Sequence, residues 1–186
     1  MNELNLQLFQ WIAGGHAPNG TLLWLATRLA LGASWLSVAL MAWAAWRQPA
    51  DRAYFVAVCL LAAAAGMLAH SLAAALNLPR PFVLGLSPSW LGHSDRGSLP
   101  STHATVMFTV ALCFLWRPRL RSVGWVVAAL AVFTGWARIY VGVHFPLDVV
   151  AGLLLAILLA GSLAFGDRLV QQFLKKARLT RPRSTA

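Results

Sequence analysis

An apolar stretch near the end of the chain, VVAGLLLAILLAGSLAF at residues 149–165, contains no charged residue. A membrane-spanning helix needs about 20 predominantly apolar residues to cross roughly 30 Å of hydrocarbon. Four more apolar runs precede this stretch, at about 21–46, 53–76, 104–116 and 123–136. The two shorter runs are expected to extend from Ser101 and up to Tyr140, into segments whose backbone is buried in protein. The sequence therefore predicts an all-α polytopic membrane bundle with about five transmembrane spans.

The composition excludes an ordinary soluble protein. Of 186 residues, 59% are hydrophobic and 11% are charged, against roughly 45–50% and 25% in soluble domains. The net charge of +10 could suggest nucleic-acid binding, but the cations lie in short breaks between apolar runs and in a basic C-terminal segment. This is the pattern of cytoplasmic segments of a membrane protein. We expect the lipid bilayer as the surroundings and no nucleic acid or required protein partner.

The length predicts a single membrane-embedded domain over residues 1–186. Residues 1–20 lack the basic start of a cleavable signal peptide. They have apolar positions at helical spacing, namely Leu4, Leu8, Trp11 and Ile12. We therefore expect an interfacial helix in this segment and a basic tail at residues 168–186.

The distribution of Lys and Arg predicts the orientation of the bundle. Eleven of the 15 cations lie in the segments 47–52, 117–121 and 168–186. Positively charged loops tend to remain cytoplasmic, so the C-terminus is expected in the cytoplasm and the N-terminus outside. The remaining cations are Arg80, Arg96 and Arg138 on the outer side and Arg28 within the first span.

Residues suited to phosphoryl transfer gather on the outer side. His144 and Asp148 are four residues apart and share a face if the segment is helical. A neutral imidazole attacks phosphorus best when its other nitrogen donates to a carboxylate. His144 is therefore the candidate nucleophile, Asp148 its orienting partner, and His103 a candidate general acid for the leaving oxygen.

Other residues nearby are suited to holding a phosphate. Arg80 and Arg138 offer planar, permanently charged donor forks that match phosphate oxygens. Ser101 and Thr102 lie at the predicted start of the third span, where free backbone N–H groups favour an anion. We expect neither a metal nor another cofactor in the site, because Asp95 is the only carboxylate near Asp148 and two carboxylates make a poor metal cage.

Three segments resemble, in order, the signature motifs of the type 2 phosphatidic acid phosphatase superfamily. They are Arg80-Pro81, Pro100-Ser101-Thr102-His103, and Arg138 followed by His144 and Asp148. The Leu4–Phe9 opening and Arg80-Pro81-Phe82 further resemble bacterial undecaprenyl pyrophosphate phosphatases.

This resemblance implies hydrolysis of undecaprenyl pyrophosphate to undecaprenyl phosphate and phosphate through a phosphohistidine on His144. It implies the same roles for the site residues named above. The enzyme would lie in the bacterial inner membrane, with its site facing the periplasm or cell exterior, and would recycle the carrier lipid. Phosphatidic acid or phosphatidylglycerol phosphate remains an alternative substrate. A lipid A phosphotransferase using the same donor, or a non-enzymatic membrane protein, also remains open.

The chain departs from the family pattern in its first motif. The family has a lysine seven residues before the arginine, where this chain has Ala73. Thr102 replaces a usual glycine and Ala137 a usual serine. An intramembrane arginine usually faces a partner or a polar cavity, so our hypothesis is that Arg28 supplies the missing cation.

Four polar residues have no assigned role in this scheme. His70, within the second span, is as compatible with inter-helix packing or hydrogen bonding as with chemistry. His93, Asp95 and Arg96 lie in the connection before the second motif, where a solvated loop is the default. Arg96 could equally contact the substrate.

Overall fold

The computed structural model describes residues 3–95 and 97–179, which are helical apart from turns and connections. The α-helices in this part of the chain are α1 (Glu3–Ile12), α2 (Gly20–Arg47), α3 (Arg52–Leu76), α4 (Thr102–Leu115), α5 (Arg121–Tyr140) and α6 (Pro146–Leu179). Short 3-10 turns, Pro49–Asp51 and Pro118–Leu120, precede α3 and α5. The predicted all-helical fold class is confirmed.

Four of these helices are long and apolar enough to cross a membrane, namely α2, α3, α5 and α6. The fifth apolar helix, α4, has 14 residues, which extend about 21 Å at 1.5 Å per residue. None of its side chains is exposed, because α3, α5 and α6 pack around it. The expected extensions are confirmed, since α4 begins directly after Ser101 and α5 ends at Tyr140. A helix shorter than the bilayer is acceptable there because protein surrounds it.

The first helix docks against the start of α6. The Phe9 ring lies 5.2 Å from the Phe145 ring, centre to centre, and Asn5 Oδ1 accepts a hydrogen bond from the Leu147 amide at 3.0 Å. Trp11 on the same helix is 81% exposed. The predicted N-terminal helix is confirmed, and its place at the membrane interface stays a prediction.

The last helix is longer than the apolar run that predicts it. It continues through residues 168–179, so the first part of the expected basic tail is helical. Residues 180–186 lie outside the described part of the chain. In α6 a small residue allows close approach to α4: a Cβ added at Gly152 would lie 3.0 Å from the Ser101 carbonyl oxygen and 3.1 Å from Ala104 Cβ. This contact holds the first turns of α4 and α6 together.

Arg117 connects three parts of the bundle at the end away from the α4 N-terminus. Its Nη2 donates to Asp51 Oδ1 at 2.7 Å and its Nη1 to Asp167 Oδ2 at 3.1 Å. The guanidinium also lies 4.4 Å from the centre of the Tyr54 ring. Because the Asp51 side chain is only 3% exposed, its charge depends on this partner.

We expect Arg117→Ala to lower the free energy of unfolding by about 2–3 kcal/mol, because it leaves the buried Asp51 carboxylate without its nearest cation. The value lies below the full cost of an unpaired buried charge because Arg119 Nη1 remains 3.9 Å from Asp51 Oδ2. Unfolding in mixed micelles measures the change, and exposed Arg121→Ala is the control. If Asp51→Ala/Arg117→Ala is no more stable than Arg117→Ala alone, the buried charge is not the cause.

Candidate active site

The antiparallel packing of the helices brings three separate segments to one end of the bundle. These are the α3–α4 connection at 77–101, the first turn of α4, and the α5–α6 connection at 141–145. Gly142 adopts a left-handed φ of 78° there, and the Val143 and His144 amides both donate to the Arg138 carbonyl at the end of α5. This tight turn places His144 directly beside the start of α6.

The predicted pairing of His144 and Asp148 is present, with different local structure. His144 precedes α6 rather than lying on a helical face. The contact forms because Asp148, in the first turn, folds back toward the chain that enters the helix: its Oδ2 accepts the Phe145 amide at 2.8 Å and lies 3.3 Å from His144 Nδ1. Ser98 Oγ donates to the same oxygen and lies 3.5 Å from His144 Nδ1.

These contacts define the protonation pattern of the His144 ring. Nδ1 faces the carboxylate acceptor of Asp148, whereas Nε2 faces a donor, Arg80 Nη1, at 3.3 Å. A proton on Nδ1 and a lone pair on Nε2 satisfy both neighbours. The Nε2 lone pair therefore faces the Arg80 guanidinium.

Burial, together with the charges of Arg138 and Arg80, lowers the pKa of His144 to about 4, although the Asp148 hydrogen bond and charge act in the opposite direction. The imidazole is therefore neutral at neutral pH. Its contact with Asp148 is then a hydrogen bond from Nδ1–H rather than an ion pair.

Backbone carbonyls hold Arg80 in place. Nη1 donates to the Val143 carbonyl at 2.8 Å and Nη2 to the Gly97 carbonyl at 3.1 Å. A Cβ at Gly97 would lie 1.8 Å from the Ala73 carbonyl oxygen, so only glycine allows the connection to pass this close to α3. Burial also lowers the pKa of the Arg80 guanidinium, an effect that the charge of Asp148 opposes.

Arg138 contacts a histidine that the sequence assigns no role. Its Nη2 lies 3.0 Å from His93 Nε2, and the His93 ring centre is 6.5 Å from that of His144. Burial lowers the pKa of His93, as do the charges of Arg80 and Arg138, while a backbone hydrogen bond with Ser94 raises it. Neutral His93 thus accepts from Arg138. Arg138 is only 2% exposed, and its Nε has no hydrogen-bond partner among the described residues.

A cavity of about 220 Å³ lies among these groups. Its walls include Arg80, His93, Thr102, His103, Arg138 and His144, together with His70, Ala73 and Ala74 from α3. The structure therefore brings together Arg80, Thr102, His103, Arg138 and His144 as predicted, with Asp148 behind His144.

Two predicted phosphate binders do not lie on this cavity. Ser101 is completely buried as the N-cap of α4; its amide donates to the Asp148 carbonyl at 2.9 Å, so that donor is already used. Arg28 is exposed, with its guanidinium carbon 5.7 Å from the centre of the Trp24 ring one turn away on α2. The structure does not support Arg28 as the replacement for a cation at Ala73. Arg96 lies outside the described residues.

Three further residues belong to the site and were not predicted from sequence. Ser98 and His93 lie in an irregular connection, where no periodic pattern predicts the direction of a side chain. Only their nearness to the second motif could have suggested that they belong to the site. His70 lies within an apolar helix and lines the cavity. Its position one turn before Ala73, where the family has a lysine, puts it on the same face of α3 and could have indicated that it lies in the site.

An apolar groove of about 530 Å³ adjoins the cavity, because Thr102 and His103 line both. It runs between α2, α3 and α4, and its walls include Ser34, Val38, Met41, Phe55, Cys59, Val106 and Val110. A neutral nucleophilic nitrogen, two arginines and an adjoining apolar groove can together accept a phosphate that carries a long hydrocarbon chain.

Solved structures share this architecture. The crystal structure of Aquifex aeolicus LpxE matches with a TM-score of 0.68 and 26% identity, covering 89% of this chain and 96% of that one. A PAP2 type phosphatidylglycerolphosphate phosphatase from Bacillus subtilis has the same fold, with a TM-score of 0.62 and 22% identity over 96% of this chain and 88% of its own.

Sequence relatives agree with the structural comparison. YbjG of Escherichia coli (strain K12), whose name describes it as an undecaprenyl-diphosphatase, is 32% identical over 158 residues, or 83% of this chain and 78% of YbjG. The undecaprenyl-diphosphatase BcrC of Bacillus subtilis (strain 168) is 36% identical over 81 residues, 44% of this chain and 41% of BcrC. The profile of the PAP2 superfamily matches residues 54–168, and the chain belongs to that superfamily of membrane lipid phosphatases.

Proposed function

We propose that the protein hydrolyses undecaprenyl pyrophosphate to undecaprenyl phosphate and phosphate through a phosphohistidine on His144. The observation that carries this proposal is that the cavity of the proposed nucleophile and the apolar groove adjoin at Thr102 and His103. A phosphate bound at His144 can then keep its hydrocarbon chain between helices. The YbjG and BcrC relatives support the choice of this lipid.

Phosphoenzyme formation begins with the Nε2 lone pair of His144 attacking the terminal phosphorus. The N–P bond forms as the bond from phosphorus to the bridging oxygen breaks, and undecaprenyl phosphate leaves. His103 donates a proton to the departing oxygen. Arg80 and Arg138 stabilise the charge on the transferring phosphoryl oxygens, and Asp148 stabilises the positive ring through the Nδ1 hydrogen bond.

Hydrolysis of the phosphohistidine reverses these proton transfers. The neutral His103 left by the first step takes a proton from water as the water oxygen attacks phosphorus. The O–P bond forms and the N–P bond breaks, so phosphate is released and His144 regains its neutral ring. No metal takes part in these steps, which is a prediction that a chelator tests.

Negative charge on the substrate supports the acid role of His103. Arg80 and Arg138 place two positive charges in the cavity that His103 lines. A bound diphosphate offsets those charges and favours the proton on His103. Substrate binding and readiness for proton donation are therefore coupled in this proposal.

The site is proposed to open toward the periplasm or cell exterior. The cations of 47–52 and 117–121 lie at the opposite end of the bundle, where α2 and α4 end and α3 and α5 begin. By the positive-inside pattern that end faces the cytoplasm. The C-terminal end of α6 lies on the same side, which supports a cytoplasmic location for the C-terminus.

Other relatives favour a second class of substrate. A lipid A 1-phosphatase of Rhizobium johnstonii (strain DSM 114642 / LMG 32736 / 3841) is 37% identical over 96 residues, or 47% of this chain and 37% of its own length. A lipid monophosphate, including phosphatidic acid or phosphatidylglycerol phosphate, therefore remains the alternative. A transferase to lipid A would share the first step and differ in needing an acceptor.

Purified wild-type protein in detergent and chelator is expected to release phosphate from undecaprenyl pyrophosphate faster than from phosphatidic acid, without an added acceptor. His144→Ala should abolish both turnover and acid-labile phosphoenzyme, whereas His103→Ala should slow turnover by about 10²–10⁴-fold. Exposed His16→Ala is the matched histidine control. Labelled phosphoenzyme in His144→Ala would refute the nucleophile, and faster release from phosphatidic acid would refute the substrate.

The nucleophile should remain neutral at pH values where an ordinary histidine is protonated. Since the pKa of His144 is lowered to about 4, its neutral form predominates above that pH and is lost below it. Nitrogen-15 imidazole spectra recorded between pH 3.5 and 8, with His144→Gln to assign the signal, measure this directly. A midpoint near the usual value of about 6.5 would contradict the burial seen here.

The orientation predicts which end of the chain reagents can reach in intact cells. A cysteine placed at Gly15, beside the start of α2, should react with a membrane-impermeant maleimide, whereas one placed at Arg121 should react only after lysis. Both sites are tested in a Cys59→Ala/Cys113→Ala background. The reverse pattern would put the active site in the cytoplasm.

A further inference from the structure

His70 lies on a face of α3 that joins the apolar groove to the phosphate cavity. Phe55, Cys59 and Ala62 line the groove, while His70 and Ala73 line the cavity. These positions follow one another at intervals of three, four or eight residues, so they form one continuous stripe along the helix. His70 is the polar residue of the stripe that lies nearest the junction of groove and cavity.

The packing of α3 against α4 gives the level of His70 in the bundle. Phe55 and Phe114 are in ring contact at 5.4 Å between centres, and a Cβ at Gly66 would lie 3.3 Å from Val106 Cγ2. The helices are antiparallel, so one turn beyond Gly66 corresponds to one turn before Val106. His70 is therefore level with Thr102 and His103, the two residues that line both spaces.

A bound diphosphate would extend along this path. In the proposed reaction His144 Nε2 attacks the terminal phosphorus and His103 protonates the bridging oxygen. The terminal phosphate must therefore lie beside His144, with the bridging oxygen toward His103. The phosphate next to the lipid must then lie between His103 and the groove, at the level of His70. The cavity of about 220 Å³ is many times the roughly 10–15 Å³ of such volume that one water needs, so it can hold several small groups.

We propose that His70 binds the phosphate that stays on the lipid and thereby selects lipid diphosphates over lipid monophosphates. This inference rests on the proposed function. An imidazole N–H donates to a phosphate oxygen whether the ring is neutral or charged. A monophosphate bound at His144 would place only an ester oxygen and hydrocarbon at this level, so His70 would gain no charged partner.

The test compares two non-hydrolysable ligands that share one hydrocarbon tail, farnesyl methylenediphosphonate and farnesyl phosphonate. Dissociation constants are measured in detergent for wild type, His70→Ala, His70→Gln and Ser71→Ala. We expect His70→Ala to weaken the diphosphonate about tenfold, as for the loss of one hydrogen bond to a charged group. The phosphonate should change by less than about twofold.

The other variants separate recognition from folding. His70→Gln keeps an N–H donor of similar reach and should recover part of the diphosphonate affinity. Ser71→Ala, at the next position of α3 and outside the cavity lining, should bind both ligands as wild type does. Equal weakening of the two ligands in His70→Ala, or no weakening of either, would overturn the proposal.

Turnover of farnesyl diphosphate is measured in parallel with binding. If wild type releases no phosphate yet His70→Ala selectively loses the diphosphonate, the proposed hydrolysis fails and the diphosphate subsite stands. If wild type hydrolyses the diphosphate while His70→Ala binds both ligands normally, the hydrolase stands and the role of His70 fails.

Discussion

The carboxylate of Asp148 is the point on which the site depends. Its Oδ2 takes the Phe145 amide, faces His144 Nδ1 and receives the Ser98 hydroxyl. This one oxygen thus stabilises the α5–α6 turn through Phe145 and fixes the orientation of the His144 ring. Through Ser98 it also holds the α3–α4 connection against the start of α6. Because the side chain is only 6% exposed, water competes little for these contacts. The carboxylate that is proposed to stabilise a positive His144 during the reaction therefore also holds two chain segments together.

Close backbone approach makes this arrangement possible. Gly152 lets α6 meet the start of α4, and the Ser101 amide donates to the Asp148 carbonyl. Gly97 lets the connection pass against the end of α3 while its carbonyl holds Arg80. Small residues allow helices to pack closely where lipid provides no hydrophobic drive between them. Positioning of the reactive groups and packing of the bundle consequently use the same contacts.

The sequence predicted those features that leave a periodic or charged signal. Long apolar runs predicted the helices, and the motif residues Arg80, Arg138 and His144 meet at one cavity as expected. It located Ser101 correctly at the start of the third span, but residue order alone does not show that the Asp148 carbonyl already uses its amide. It missed Ser98 because an irregular connection has no period from which a side chain's direction follows. The hypothesis that Arg28 replaces the family lysine is not supported, because depth along a helix does not specify which face a residue lies on. The Arg28 guanidinium lies over Trp24 on α2.

The junction at His103 explains why one cavity can serve both chemistry and recognition. His103, which we propose protonates the leaving oxygen, also lines the groove proposed for the hydrocarbon chain. The leaving group must therefore lie where the cavity and the groove meet. The side chain of α3 at that level, His70, is then the one best placed to contact it. Ala73 leaves the deeper wall of the cavity uncharged, so in our proposal the polar contact from α3 is made by His70, one turn nearer the groove. A hydrogen-bond donor at that depth would distinguish lipids with one phosphate from lipids with two, whereas Arg80 beside His144 would contact the terminal phosphate of either kind.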